Sequence, residues 1–155
     1  MLTDCLAVLF ERELLKLKSE MITYADETQL WGTTAQINNS GGNLCLHLLG
    51  NLQHFIGSVL GQSGYIRNRP EEFSQKSIPV AEISKTIDQT ILIVTTTIKS
   101  LSTETLAKEY PIKVFDQAMS TEYFLLHLLG HLNYHLGQIN YHRRILDACQ
   151  PKAGS

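Results

Sequence analysis

The chain has 155 residues, 43% of them hydrophobic, with 13 basic and 15 acidic side chains and a formal net charge of −2. This length and composition predict a single domain, residues 1–155, that buries a full core. No run of like charge is present, which argues against nucleic acid or an anionic membrane as a partner. The cysteines lack CxxC spacing and no apolar run reaches membrane-spanning length, so we expect a cytoplasmic protein.

The first half of the chain predicts two helices with a loop between them. Apolar residues recur at three- and four-residue steps from Leu6 to Tyr24, which indicates an amphipathic helix with Thr3 or Asp4 as its N-cap. Residues 25–43 lose this period and gather Gly, Asn, Ser and Thr, which is typical of a loop. A second helix then follows from Leu44 to about residue 60, apolar nearly all round and therefore well buried.

The second half predicts two further helices, and the whole pattern indicates an all-α fold, a four-helix bundle. Residues 61–77 are a turn-rich crossover, and Pro79 suits the first turn of the third helix. That helix runs to Leu101, although its β-branched residues would pass for a strand in isolation.

A short extended arm is expected before the last helix. Residues 102–118 alternate briefly at Ile112 and Val114, as a strand would. Ser120 or Thr121 can cap the last helix, and Pro151 marks the region where it has already ended.

Histidines form a row on the last helix. At about 100° per residue, the stretch Phe124–Ile145 brings four of the six histidines and Gln138 within about 80° of arc. We expect this face to be buried, so that each imidazole needs a partner. On the second helix a matching polar row lies within about 40° of His47. The two rows consist of His127, His131, His135 and His142, and of His47, Asn51, His54 and Ser58.

The second and last helices also share a leucine and glycine pattern. LHLLGNL at 46–52 is repeated as LHLLGHL at 126–132. A glycine inside a helix costs roughly 1 kcal/mol relative to alanine, and close helix approach or room for a ligand is the usual compensation. The glycines concerned are Gly50, Gly57, Gly130 and Gly137.

The histidine spacing suggests a metal site. Residues four apart on a helix lie about 6 Å apart along the axis, so His131 can share one ion with either His127 or His135. A third ligand must come from another helix, and His47 is suitably placed. Three neutral imidazoles leave a coordination position open, as catalytic sites do. The alternative is a set of core histidines satisfied by hydrogen bonds.

Other polar residues are candidates for supporting roles. Asn51 and Gln138 could orient a ligand imidazole, whereas His54 and His142 lie about 10 Å further along their helices and would line a pocket or form a separate site. The stretch from Arg67 to Glu72 could hold a substrate anion, but we favour a self-satisfied salt-bridge network or a dimer contact.

Three stretches resemble the DinB-like superfamily of metal-binding four-helix bundle proteins, in a branch of uncharacterised bacterial members. They are HLLGN at 47–51, RNRPEEF at 67–73 and HLNYHLGQI at 131–139. The resemblance implies a triad of His47, His131 and His135. It also implies a metal-activated nucleophile, since similar proteins include thiol-dependent transferases and isomerases.

The sequence therefore predicts a metal-dependent enzyme of the transferase or hydrolase type. A bound divalent transition metal, zinc or nickel first and iron as another candidate, would activate water or a low-molecular-weight thiol for attack on a small-molecule substrate. No catalytic side chain is assigned, and no Asp or Glu lies in the histidine rows. The alternative is a non-catalytic bundle that binds a metal or a small ligand, as in a stress response. A homodimer is expected in either case.

Overall fold

The computed structural model describes residues 1–34 and 36–148, and within them the protein is mostly helical and all-α. A 3₁₀ turn, Glu27–Trp31, follows the first helix, and the second helix continues directly into a π-helical turn, Gln53–Ser58. The described residues contain no β-strand. The six α-helices are α1 (Leu2–Thr23), α2 (Gly41–Leu52), α3 (Arg69–Ser74), α4 (Val80–Ser100), α5 (Thr103–Ala107) and α6 (Thr121–Ala148).

Helix α1 packs lengthwise against α4 and α6. Its apolar positions, spaced by three and four residues as predicted, are buried from Leu6 to Met21. The predicted N-cap was wrong, because the helix already begins at Leu2. Thr3 is buried in the first turn, and Asp4 instead accepts a hydrogen bond from the amino-terminal ammonium at 2.9 Å.

Helix α2 is buried almost throughout, as its composition predicted, but it begins three residues before Leu44. Ser40 caps it by accepting a hydrogen bond from the backbone N–H of Asn43 at 3.2 Å. The two glycines that follow looked like loop residues in the sequence. They are helical, and a Cβ on Gly42 would come within 2.7 Å of the Trp31 ring, so the missing side chains allow close packing.

The crossover between α2 and α4 contains a helix that the sequence analysis missed. Helix α3, Arg69–Ser74, starts with Pro70 in its first turn and packs against α2. Helix α4 follows directly after Pro79, which confirms the helical interpretation of its β-branched run. Three of its threonines, Thr86, Thr90 and Thr95, donate their hydroxyls to carbonyls one turn earlier, as Thr95 does to Ile91 at 2.8 Å.

The segment before α6 is only partly as expected. Helix α5 occupies its start, and the residues after it form an irregular loop closed by one antiparallel bridge between Glu109 and Ser120. Ser120 caps α6 by accepting from the backbone N–H of Tyr123 at 3.1 Å, as predicted. Pro151 lies outside the described residues. Among the helices that are described, none combines the length and apolar character needed to cross a membrane.

Candidate metal centre

Three histidines from two helices meet at one point. His47 lies in the middle of α2, and His131 and His135 lie one turn apart on α6. The Nε2 atom of His131 is 3.3 Å from that of His47 and 3.1 Å from that of His135. One ring nitrogen from each lies within 4.8 Å of the other two, and no other group of His, Cys, Asp or Glu in the described residues meets this condition.

These separations fit a single transition-metal ion. Two nitrogens bound at about 2.0–2.1 Å with a tetrahedral angle between them lie about 3.3–3.4 Å apart. The observed Nε2 separations, 3.1 and 3.3 Å, are close to that value. The residues present therefore fit the ion that the sequence suggests, with each imidazole presenting the same nitrogen.

The tautomer of His47 follows from its partner on α3. Its Nδ1 atom lies 2.9 Å from Oε2 of Glu72. Burial alone would raise the pKa of this carboxyl group, but hydrogen bonds from His47 and Arg67 and the charge of Arg67 hold it below its usual value. An ionised carboxylate can only accept, so His47 donates from Nδ1, and in the neutral ring this leaves the Nε2 lone pair for the site.

Arg67 completes the surroundings of this carboxylate. Its Nε donates to Oε1 of Glu72 at 2.7 Å and its Nη2 donates to Oε2 at 2.9 Å. Of the predicted salt-bridge network, the pair of Arg67 and Glu72 is therefore present, with both side chains largely buried. The contact of Glu72 with His47 was not predicted, because the histidine rows on α2 and α6 contain no acid and this carboxylate comes from the crossover.

His135 is oriented by Gln138, one of the residues proposed for this role from the sequence. The Nδ1 of His135 donates to Oε1 of Gln138 at 2.6 Å, and the amide nitrogen of Gln138 donates to the hydroxyl of Tyr134 at 3.3 Å. This assignment places the proton of a neutral His135 on Nδ1, so its Nε2 lone pair also faces the site. Burial lowers the pKa of His135, and the bond to Gln138 opposes that shift.

His131 lies between the other two imidazoles. Burial first, and then the proximity of His135 and His47, lower its pKa to about 4, so the ring is neutral at neutral pH. Its Nδ1 is buried without a hydrogen-bond partner in the described part of the chain. A neutral ring can donate one proton from Nε2, which satisfies only one of its two neighbours, whereas a cation would satisfy all three lone pairs.

The histidine face of α6 is not the buried face, contrary to the expectation. Leu128, Leu132 and Leu136 are buried, whereas His131 and His135 are half-buried and the other members of the row near them, His127 and Gln138, are exposed. The leucine face lies about 90° further round the helix and fills the core instead. The three histidines consequently stand at the edge of the core, with one side towards solvent.

The remaining candidates form no hydrogen bond with the three histidines in the described part of the chain. Asn51 is buried, and its Oδ1 has no hydrogen-bond partner among the described residues. His54 is half-buried in the π-helical turn with its ring against Phe55, and burial lowers its pKa. His142 is a core histidine that accepts from the Tyr24 hydroxyl at 2.8 Å and donates to the Gly32 carbonyl at 2.9 Å.

A groove of about 360 Å³ lies next to the orienting residue of His135. Gln138, Tyr141 and His142 of α6 line one side. The loop before α2 supplies the amides of Asn38 and Asn39 on the other. Apart from His142, the described residues that line the groove include no acidic or basic side chain, so the groove is suited to a neutral polar molecule.

One comparison with known proteins gives a match. A family model described as "Protein of unknown function (DUF1572)" matches residues 7–152. No curated protein matches the chain. The matched range contains all three histidines of the centre, together with Glu72 and Gln138.

Proposed function

The chain belongs to this family, whose description states no activity, and we propose that it is a metal-dependent enzyme built on a DinB-like four-helix bundle. The four long helices of the bundle would be α1, α2, α4 and α6, and the buried side chains between them form one contiguous cluster. Support for the DinB-like assignment comes from the HxxxHxGQ element at 131–138, which is the helix segment that carries two of the converging histidines.

The observation that carries the proposal is the convergence of three Nε2 atoms at the solvent edge of the core. His47, His131 and His135 would hold one divalent transition metal, with zinc or nickel the first candidates and iron another. When bound, such an ion supplies a Lewis acid that favours the deprotonated form of water or a thiol. Because the three ligands are neutral, the entering nucleophile would meet an uncompensated positive charge.

The side chains around the site favour a thiol over water as the nucleophile. Glu72 already accepts three hydrogen bonds, from His47 and twice from Arg67, so it is not free to act as a general base. Thiol transfer needs only a stabilised thiolate, whereas amide hydrolysis also needs an acid to protonate the leaving amine. The substrate would be a small molecule whose neutral polar part occupies the groove beside Gln138.

The second candidate is a non-catalytic bundle that binds a metal or a small ligand. Its metal-free, ligand-binding form is favoured by the same Nε2 separations, since 3.1 and 3.3 Å are also hydrogen-bond distances between imidazoles. In that case the histidines would stabilise the protein, and chelators would leave any activity towards small electrophiles unchanged.

The test is elemental analysis of protein purified without a nickel column. We expect about one equivalent of a transition metal in the wild type and its loss in His47→Ala and His131→Ala. His127→Ala is the matched control, because His127 is an exposed histidine on the same face of α6 outside the converging group. Metal retained at wild-type stoichiometry in His131→Ala would refute the site.

A second experiment separates the two candidate functions. Small thiols are screened against electrophiles with metal-loaded and chelator-stripped protein, and we expect turnover only with the loaded form. Equal rates would remove the metal from the mechanism.

The homodimer stays a prediction, and the mass of the protein in solution at several concentrations would test it.

A further inference from the structure

We propose that Glu72 is a positioning residue that acts on the centre through His47, held there by a receptor on α2; the inference rests on the proposed metal site. The receptor is formed by three residues on successive turns of α2, namely Asn43, His47 and Gly50. Each of them contacts a different part of Glu72. Spacings of four and three residues place all three on the same face of α2, towards Glu72.

The first of these contacts fixes the backbone of α3. The side-chain amide of Asn43 donates to the carbonyl of Glu72 at 3.0 Å and to that of Gln75 at 2.9 Å. Asn43 is itself buried, and its own Oδ1 accepts from Ser40 at 2.7 Å. The short helix α3 is therefore attached to α2 at a defined height, one turn before His47.

Gly50 provides the third contact, a recess in α2 that accommodates the carboxylate of Glu72. A Cβ on Gly50 would overlap the Oε1 atom of Glu72 and lie 2.9 Å from its carboxyl carbon. Any larger residue at this position would push the carboxylate away from His47. The glycine that the sequence analysis connected with close approach or a ligand thus makes room for this side chain of the protein itself.

The contact between Glu72 and His47 is the one that affects the candidate metal centre. Glu72 is only 5% exposed, and its Oε2 receives the Nδ1 proton of His47 at 2.9 Å. A carboxylate in this position fixes both the ring orientation and the tautomer of a metal ligand and makes the ligand nitrogen more basic. Arg67 donates to both oxygens of the carboxylate, and its Nη2 also lies 3.3 Å from Nδ1 of His47. It therefore shares the negative charge and moderates that effect.

A merely structural ion pair would not need this geometry. The buried carboxylate of Glu13 is an example, because it is paired with Arg12 and Lys16 on its own helix and contacts no histidine. Glu72 instead accepts from Arg67 at both oxygens and also, at Oε2, from a histidine that points into the candidate centre. The distinction predicts different consequences for metal binding when each acid is neutralised.

The experiment measures Co²⁺ affinity by chelator competition and the Co²⁺ absorption spectrum. Glu72→Gln keeps the shape of the side chain, and we expect one Co²⁺ per chain at saturation with about 10- to 100-fold weaker binding and an altered spectrum. Glu71→Gln, an exposed neighbour on α3, and Glu13→Gln, a buried acid elsewhere, should bind as the wild type does. Affinity within about twofold of wild type in Glu72→Gln would overturn the proposal, given the tenfold minimum expected.

A measurement on the unmodified protein guards against misfolding of the variant. In the metal-free wild type, long-range ¹H–¹⁵N correlation of the imidazoles should show His47 protonated at Nδ1, with the signal identified by its loss in His47→Ala. A proton on Nε2 would overturn the positioning role. Failure of the metal site itself would be visible separately, as a wild type that binds no Co²⁺ or a His131→Ala variant that binds it equally well.

Discussion

Replacing Gly50 with alanine should destabilise the protein, although alanine is the better helix former. The added methyl group would occupy the place of the Glu72 Oε1 atom, so the carboxylate must leave its recess. Its displacement breaks three charge-assisted hydrogen bonds, one from His47 and two from Arg67. A comparable substitution at Gly130, which has no described atom within 4 Å of the new methyl group, meets no such obstacle.

The magnitudes decide the sign of the effect. Alanine gains about 1 kcal/mol over glycine inside a helix, whereas one hydrogen bond to a charged group contributes about 1.5–3 kcal/mol. Even if water replaces two of the three bonds, Gly50→Ala should lose about 0.5–2 kcal/mol net. At about 2–4 °C per kcal/mol for a protein of this size, the melting temperature should fall by about 1–8 °C, whereas Gly130→Ala should raise it by about 2–4 °C.

The assay is thermal unfolding of both variants and the wild type after treatment with a chelator, so that metal binding does not contribute. Urea unfolding provides the free energies for the same comparison. A stabilised Gly50→Ala variant, matching Gly130→Ala, would show that the recess is not needed and would refute the packing argument for Glu72. Metal affinity of the two variants, measured in parallel, should fall only for Gly50→Ala.

Three further predictions concern stability, pH and metal. His142→Ala should cost about 2–4 kcal/mol in urea unfolding, because it leaves a cavity and removes the partner of the Tyr24 hydroxyl, yet metal stoichiometry should not change. The metal-free protein should lose stability as the pH falls from about 6.5 towards 4. The reason is that His131 binds a proton in the unfolded chain in this range, whereas in the folded state its pKa of about 4 keeps it neutral. Glu72, whose pKa is lowered by folding, acts in the same direction below about pH 4.5. Thermal melts across this range should be flatter for His131→Ala, and an unchanged slope would contradict the assignment. Saturation with Zn²⁺ at 100 times its dissociation constant should add about 2.7 kcal/mol of stability in the wild type and none in His47→Ala, as measured by the shift in melting temperature.

The sequence contained enough to bring together His47, His131 and His135. Two of them are one helical turn apart, so their proximity is a local property, and the matching polar row on the second helix pointed to His47 as the third. Gln138 could be proposed for the same reason, since it lies three residues after His135 and their contact is within one helix. Local periodicity thus accounts for most of the candidate centre.

What could not be predicted depends on contacts between elements. Helix α3 has six residues, too few for a hydrophobic period, and its position on α2 depends on the Asn43 side chain. The buried face of α6 was misjudged because leucine and histidine rows alternate around that helix, and only packing decides which of them enters the core. The start of α2 was misplaced because Gly41 and Gly42 serve close packing rather than a turn.

The position of the three histidines at the edge of the core has a consequence for metal exchange. His131 and His135 are half-buried on a helix whose leucine face holds the core together, so two of the three proposed ligands could release an ion without any opening of that core. Loading and loss would then proceed at the rate of ligand exchange, far faster than global unfolding. If the proposed site holds a metal, the protein would be loaded after folding and would take the ion that its surroundings supply at that time.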